Sequence, residues 1–327
     1  MYLDSTDRKL LNLMQAEFPL TSEPYAELGL RLGIDGNEVL RRIGQLKTGG
    51  FIRQISPIVD ARSLGYQTTL VAMRVIEAEL DKAERVIGEH PGVSHGYERD
   101  HHFNLWFTLA IPPAADIKSE LEQLTNSIEA EAIFALPAIK VYKLRTFFDT
   151  DEDNQSASDT IAPSDSILSQ KINLSRSEKE VINELQQDLP LVIAPFTEMA
   201  EHLGMDVEYF LTQCQTLLQR GIIRRFGVAV NHHQIGFTAN AMTCWQVPSD
   251  MVDAVGQKLA ELPEVSHCYE RRTNSMWQYN LFAMVHGHSR EICHEVANQV
   301  SQQTGIADYV ELFSTKEFKK VRGKYLV

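Results

Sequence analysis

Apolar positions along this chain alternate between two spacings, and the alternation defines its elements. Leu10, Leu11 and Met14 fall at helical spacing behind Ser5-Thr6-Asp7, which offers an N-cap. A second helix is predicted over 24–32, then a turn at Gly33-Ile34-Asp35. A third, over 36–48, carries Val39, Leu40, Ile43 and Leu46 and ends at the glycine cap Lys47-Thr48-Gly49-Gly50. Phe51-Ile52-Arg53-Gln54-Ile55 reads as a strand, and helix, helix, turn, helix, strand is a winged helix-turn-helix order. Beyond it, strands are predicted at 66–75, 92–99, 102–110 and 131–144, with helices at 80–89 and 114–127. This β-α-β-β-α-β order is ferredoxin-like.

The pattern then repeats. Val93-Ser94-His95-Gly96-Tyr97-Glu98-Arg99 returns as Val265-Ser266-His267-Cys268-Tyr269-Glu270-Arg271, differing only at Gly96 against Cys268. Gly50-Phe51-Ile52-Arg53 is answered by Gly221-Ile222-Ile223-Arg224, and Leu64-Gly65-Tyr66 by Ile235-Gly236-Phe237. A period this long means whole domains written twice. The expected class is α+β, a tandem repeat of winged helix-turn-helix plus ferredoxin-like domain. The expected divisions are 1–60 and 61–148, an acidic, Ser-rich flexible linker at 149–172, then 173–231 and 232–327. The halves should form an intramolecular pseudo-dimer. Their divergence at polar positions predicts one working site and one that has drifted.

Composition narrows the reading. The 327 residues are 43% hydrophobic and 23% charged, ordinary globular values. No run approaches the length of a membrane span, the first residues lack a signal-peptide pattern, and the four cysteines have no C-x-x-C spacing. A cytoplasmic chain with reduced thiols and no membrane partner is expected. The net charge of −13 disfavours nucleic acid. The candidate reading helices agree: Gly36-Asn37-Glu38-Val39 precedes Arg41 and Arg42, and Asp206-Val207-Glu208-Tyr209-Phe210 is followed by no Lys or Arg before Arg220. DNA is therefore an unexpected partner.

A helix-turn-helix followed by a ferredoxin-like domain resembles the Lrp/AsnC regulators. Within that superfamily, Arg99-Asp100-His101-His102-Phe103-Asn104-Leu105-Trp106-Phe107-Thr108 is similar to the signature of one subunit of the siroheme decarboxylases. Trp277-Gln278-Tyr279-Asn280-Leu281-Phe282-Ala283-Met284-Val285-His286-Gly287 is similar to that of the partner subunit. So are Arg224-Arg225-Phe226-Gly227, Asn231-His232 and the run Leu312 to Lys320. His233 departs from the basic residue common in the family. The resemblance covers both halves and implies a fused enzyme that removes CO2 from the C12 and C18 acetates of siroheme, giving 12,18-didecarboxysiroheme for haem d1 or an alternative haem route. The iron then belongs to the substrate, and no separate cofactor or protein-held metal is expected.

Such chemistry needs a macrocycle-sized pocket, cations that grip carboxylates, and a proton donor. His286 stands where the first half has Ala110, and alternation puts Asn280, Phe282, Met284 and His286 on a face turned to the cavity between sheets. The matching set is Asn104, Trp106, Thr108 and Ala110. Phe103, Leu105, Phe107 and Leu109 should cover helices, as should Tyr279, Leu281, Ala283 and Val285. The family pattern selects His101 and strand parity with Asn104 selects His102, so both stay candidates. His101 is read as catalytic with His286, and His102 as a substrate contact. Further substrate contacts are expected at Arg99, Arg271, His232 and His267. Arg225 is preferred over its neighbour Arg224, and Lys316 and Lys319 represent the lysines that cluster with Lys320 on the last strand. The competing functions are an Lrp-like regulator and a haem-binding module without catalysis. Whether fused chains pair into a further homo-oligomer is left open.

Overall fold

The computed structural model describes residues 3–144, 172–231 and 239–326. The predicted linker lies outside them apart from Ile172, and so does His232. The first half comprises α1 (Ser5–Ala16), α2 (Pro24–Leu32), α3 (Gly36–Thr48), β1 (Ile52–Val59), β2 (Gln67–Arg74), α4 (Leu80–Glu89), β3 (Val93–Arg99), β4 (Leu105–Ile111), α5 (Ile117–Ile128), β5 (Ala132–Leu136) and β6 (Ala138–Leu144). The second comprises α6 (Arg176–Leu185), α7 (Pro195–His202), α8 (Val207–Gln219), β7 (Ile223–Val230), β8 (Ala239–Trp245), α9 (Val252–Glu261), β9 (Val265–Arg271), β10 (Leu281–Gly287), α10 (Arg290–Thr304) and β11 (Tyr309–Lys320). Among the described residues no helix is long and apolar enough to cross a membrane.

The two helical units share one core. Leu10, Met14, Ile43 and Leu46 pack in the same cluster as Val181, Phe196, Phe210 and Leu217. Their strands explain why: β1 pairs antiparallel with β7, so each strand's partner is its counterpart in the other half. A Cβ on Gly227 would meet the Met14 carbonyl oxygen at 2.5 Å, which shows how closely β7 crosses α1. The reading helices are poorly equipped for phosphate. In α3, Arg41 pairs with Glu38, and Arg42 with Asp4, Asp7 and Glu38.

Each remaining unit has the ferredoxin-like strand order, β5-β2-β4-β3 in the first half and β11-β8-β10-β9 in the second. The single strand expected over 131–144 is two strands, because Pro137 has no N–H to donate to a ladder. Its first part, β5, pairs with β2 of its own half, and its second part, β6, crosses to β9 of the other. Unbroken β11 does the same: residues 309–313 pair with β8 and 314–320 with β3. Each half thus covers the other's open sheet edge.

Alternation sorts the side chains as expected on β4 and β10. Leu105, Phe107 and Leu109 pack with Ala83, Ile87 and Leu124 of the helices, and Leu281, Ala283 and Val285 do likewise in the second half. Trp106 and Phe282 face the other way, into a cluster built from both halves with Leu70, Met242 and Leu312. Phe103 and Tyr279 join that inter-sheet cluster rather than the helices, since both precede their strands and escape the alternation. Asn104 and Asn280 serve matching structural roles. The Asn104 side chain bonds both the N–H and the carbonyl of Val75, and Asn280 bonds both of Val247.

Candidate active site

Two β-bulges decide which side chains meet. In β3 the register slips between Val93 and His95, and in β9 between Val265 and His267. Each bulge lets Val93 or Val265 stay in the helix-facing core while the following histidine turns to the opposite face. His95 lies opposite Thr108 and Tyr97 opposite Trp106. In the second half His267 lies opposite Met284 and Tyr269 opposite Phe282. His95, Tyr97, His267, Tyr269 and Arg271 are only partly exposed, in a recess between the paired sheets.

The floor of this recess comes from the β1–β7 ribbon, again by bulges. Arg53 falls at the slip between Ile52 and Gln54, and Arg224 at the matching slip between Arg225 and Ile223. Arg53 bonds Glu317 at 2.7 Å and the Asn231 side chain at 3.2 Å. Arg224 pairs with Asp60, the counterpart of Asn231, at 2.8 Å. From β11, Lys320 stands opposite His95 and Glu317 opposite Tyr97. The tail closes one side: Val321 N–H donates to Ser94 O at 2.9 Å, and Arg322 bonds the Ser56 carbonyl.

Electrostatics follow from this crowding. Burial, then the positive charge of Lys320, holds the His95 pKa down to about 4. His267 is held down to about 4 by burial, then by the charges of His95, Lys320 and Arg271, so His95 is close enough to oppose protonation of His267. Burial lowers Lys320 to about 8. The Tyr269 phenol is pushed up by burial against the charges of Arg271, Arg224 and Arg62. Arg53, Arg62, Arg224, Arg271 and Lys320 outnumber Glu317 and Asp60 here, in a chain whose net charge is −13.

Behind His267 lies a short polar chain. Ser266 Oγ is 2.8 Å from His267 Nδ1 and 2.7 Å from His286 Nε2. Ser266 and His286 are buried, and the backbone N–H of His286 donates to the Glu264 carbonyl at 2.9 Å. In the first half Ser94 Oγ is likewise 2.9 Å from His95 Nδ1, but its second partner is the Thr108 hydroxyl at 2.8 Å.

Of the other expected residues, Arg271 borders the recess and the rest are dispersed. His101 follows β3, and its ring meets Trp277 edge-on at 5.5 Å, beyond the C-terminal end of β9. His286 lies at the other end of that strand, roughly 20 Å away at about 3.3 Å per residue. The structure therefore does not bring His101 and His286 together; the imidazole beside His286 is His267. His102 is exposed and stacks edge-on against Phe103. Arg99 and Arg271 form matching staples, Arg99 Nη1 donating to Leu312 O at 2.6 Å and Arg271 Nη1 to Leu136 O at 2.8 Å. Burial lowers both to about 10, and neither Nε has a hydrogen-bond partner among the described residues. The bulge aims Arg224, not the expected Arg225, at Tyr269, while Arg225 lies beside Arg322.

Lys316 and Lys319 point away from the recess, Lys316 pairing with Glu84 of α4 and Lys319 Nζ donating to the His90 carbonyl at 2.8 Å. Slips in the β11–β3 register, around Lys316 and between Glu317 and Lys319, leave Lys320 as the lysine facing His95. Sequence reasoning underrated Lys320, Arg53, Arg224 and Ser266. The signal available was the shared Val-Ser-His triplet, whose valine cannot face the helices in register with a recess-facing histidine unless a bulge intervenes.

A family model described as "AsnC-like ligand binding domain" matches residues 63–143 and 234–319, and one described as "Siroheme decarboxylase NirDL-like HTH domain" matches 7–53 and 178–224. The siroheme decarboxylase of Hydrogenobacter thermophilus is 38% identical, with 97% of this chain and 94% of that protein covered. The siroheme decarboxylase beta subunit of Methanosarcina barkeri is 41% identical over 45% of this chain and 97% of its own length. A crystal structure of the siroheme decarboxylase NirDL in complex with an iron-uroporphyrin III analogue superposes with a TM-score of 0.74 at 34% identity, covering 99% of this chain and 95% of that one. The chain therefore belongs to the siroheme decarboxylase family, in its fused single-chain form.

Proposed function

We propose that this chain is a carboxy-lyase that removes CO2 from the C12 and C18 acetate side chains of siroheme, giving 12,18-didecarboxysiroheme for haem d1 or an alternative haem route. The observation that carries this reading is the basic recess itself. Arg53, Arg224, Arg271 and Lys320 converge beside two desolvated imidazoles in an acidic chain. A tetrapyrrole with many carboxylates meets that charge pattern, because guanidinium forks pair with carboxylates bidentately. The solved relative holding an iron-uroporphyrin analogue supports the same ligand class.

In each step the bond between methylene carbon and carboxyl breaks. The electron pair stays on the methylene carbon, shared with the macrocycle, and CO2 leaves. A proton delivered to that carbon completes a methyl group. Atoms and electrons balance with no outside oxidant or reductant, and the iron travels with the substrate. Carboxylates seated beside His95 favour its protonated imidazole and so raise its low affinity for protons. His286 and His267 form the proton-delivering side in this reading. His101, at the other end of β9, takes no part in that transfer. The test is anaerobic incubation with siroheme followed by mass spectrometry. Loss of two CO2 units is expected, and tight binding with unchanged mass would overturn the catalytic reading.

A further inference from the structure

We infer that Ser266 is a positioning residue that hands a proton from His286 to His267, so that the imidazole facing the recess is resupplied from behind. The inference rests on the decarboxylase reading for its purpose and on the geometry of three side chains for its substance. Ser266 Oγ sits 2.8 Å from His267 Nδ1 and 2.7 Å from His286 Nε2, both good hydrogen-bond distances. The Met284 carbonyl, the other acceptor in reach, is 3.4 Å away and competes weakly. A hydroxyl has one proton, so it donates to one imidazole and accepts from the other. The two ring tautomers are thereby coupled.

The β9 bulge produces this contact. Without the slip between Val265 and His267, Ser266 and His267 would point to opposite faces. Transfer runs as follows. His286 starts protonated on both nitrogens, and His267 starts neutral with its proton on Nε2, facing the recess. The methylene carbon takes the Nε2 proton, the Ser266 hydroxyl gives its proton to His267 Nδ1, and His286 Nε2 returns one to Ser266. His267 ends neutral as the other tautomer and His286 ends neutral; a proton taken up at His267 Nε2 from the recess drives the relay backwards and restores the starting state. The recess-facing ring need never hold a second proton among the charges of His95, Lys320, Arg271 and Lys143. In the first half the same chain ends at Thr108, which has no proton to spare, and Ala110 stands where His286 would be.

The test pairs kinetics with spectroscopy on the full chain. Ser266→Ala is expected to lower kcat roughly tenfold or more with KM for siroheme within about twofold, and Ser266→Thr, which keeps the hydroxyl, to recover most of the rate. Independently, 15N NMR of histidine-labelled, ligand-free protein should show His286 Nε2 protonated and the facing His267 Nδ1 bare, and Ser266→Ala should release the His267 tautomer from that preference. Wild-type kcat in Ser266→Ala, or uncoupled tautomers in the wild type, would overturn the relay while leaving the decarboxylase reading intact. Coupled tautomers in a protein that leaves siroheme unchanged would sink the decarboxylase reading instead.

Discussion

Along β11 the helix-facing side carries Lys316 and Lys319, and along its counterpart β6 it carries Lys140 and Lys143. All four tie to the covering helices: Lys316 pairs with Glu84 and Lys140 with Asp253, while Lys319 and Lys143 donate to the carbonyls of His90 and Leu262. The opposite sides disagree. β11 presents Glu317 and Lys320 to β3, whereas β6 presents Val141 and Leu144 to β9. Behind the strands, the second half has His286 where the first has Ala110. The duplicate positions that hold a helix have stayed alike, and those that face the recess have separated in charge. One half contributes the proton chain, and the strand it sends across contributes the cation.

The largest expected effect breaks this comparison at its chemical end. His286→Ala and His267→Ala should each slow CO2 release by roughly 100-fold, with a smaller loss for His95→Ala, measured by product mass under anaerobic conditions. Equal losses at His95 and His267 would erase the distinction between halves. Next, Lys320→Leu, which copies Leu144, should raise KM for siroheme about tenfold and leave kcat within about threefold. A few-fold loss at most is expected for His101→Ala, and a loss matching that of His286→Ala would return His101 to the proton transfer.

A packing exchange sharpens the comparison without touching the chemistry. A Cβ at Gly96 would lie 2.3 Å from the Phe318 ring, whereas Tyr142, the counterpart of Phe318, lies against Gly256 instead. This explains the one mismatch in the repeated heptad. Gly96→Cys should cost about 1–3 kcal/mol of stability, seen as a lower Tm. The last expectation concerns pH. His95 and His267 stay neutral in the folded chain down to about 4, while in the unfolded chain they take up protons below 6.5. Ligand-free stability is therefore full above pH 6.5 and should fall as pH drops toward 4. Binding of a polycarboxylate tetrapyrrole should take up protons, detectable by calorimetry in two buffers of unlike ionisation enthalpy.

Much of the fold was legible in the residues. Helical spacing and glycine caps located α2 and α3, and the second copy repeated them; the N-cap of α1 is Asp4, with the expected Ser5-Thr6-Asp7 forming its first turn. Period-two alternation placed Trp106, Phe282 and the helix-facing leucines correctly. His286 drew notice because its counterpart is alanine, while the recurrence of His267 in both halves spoke as much for shared packing as for a site. The errors cluster where alternation is interrupted. Phe103 and Tyr279 precede their strands, Lys316 and Lys319 sit among register slips, and Arg224 occupies a bulge that turns it where Arg225 was expected.

Local information was sufficient for the elements and the duplication, and the strings at 99–108 and 277–287 for the family resemblance from which the ligand was expected. Helix periodicity, capping and charge are properties of residues close together along the chain. The exchange of β6 and β11, the pairing of β1 with β7, and the meeting of Ser266 with both His267 and His286 depend on strands distant in sequence finding one register. A bulge of one residue reverses which way a side chain faces, and that choice is made by the packing of valines against helices, which no single strand records.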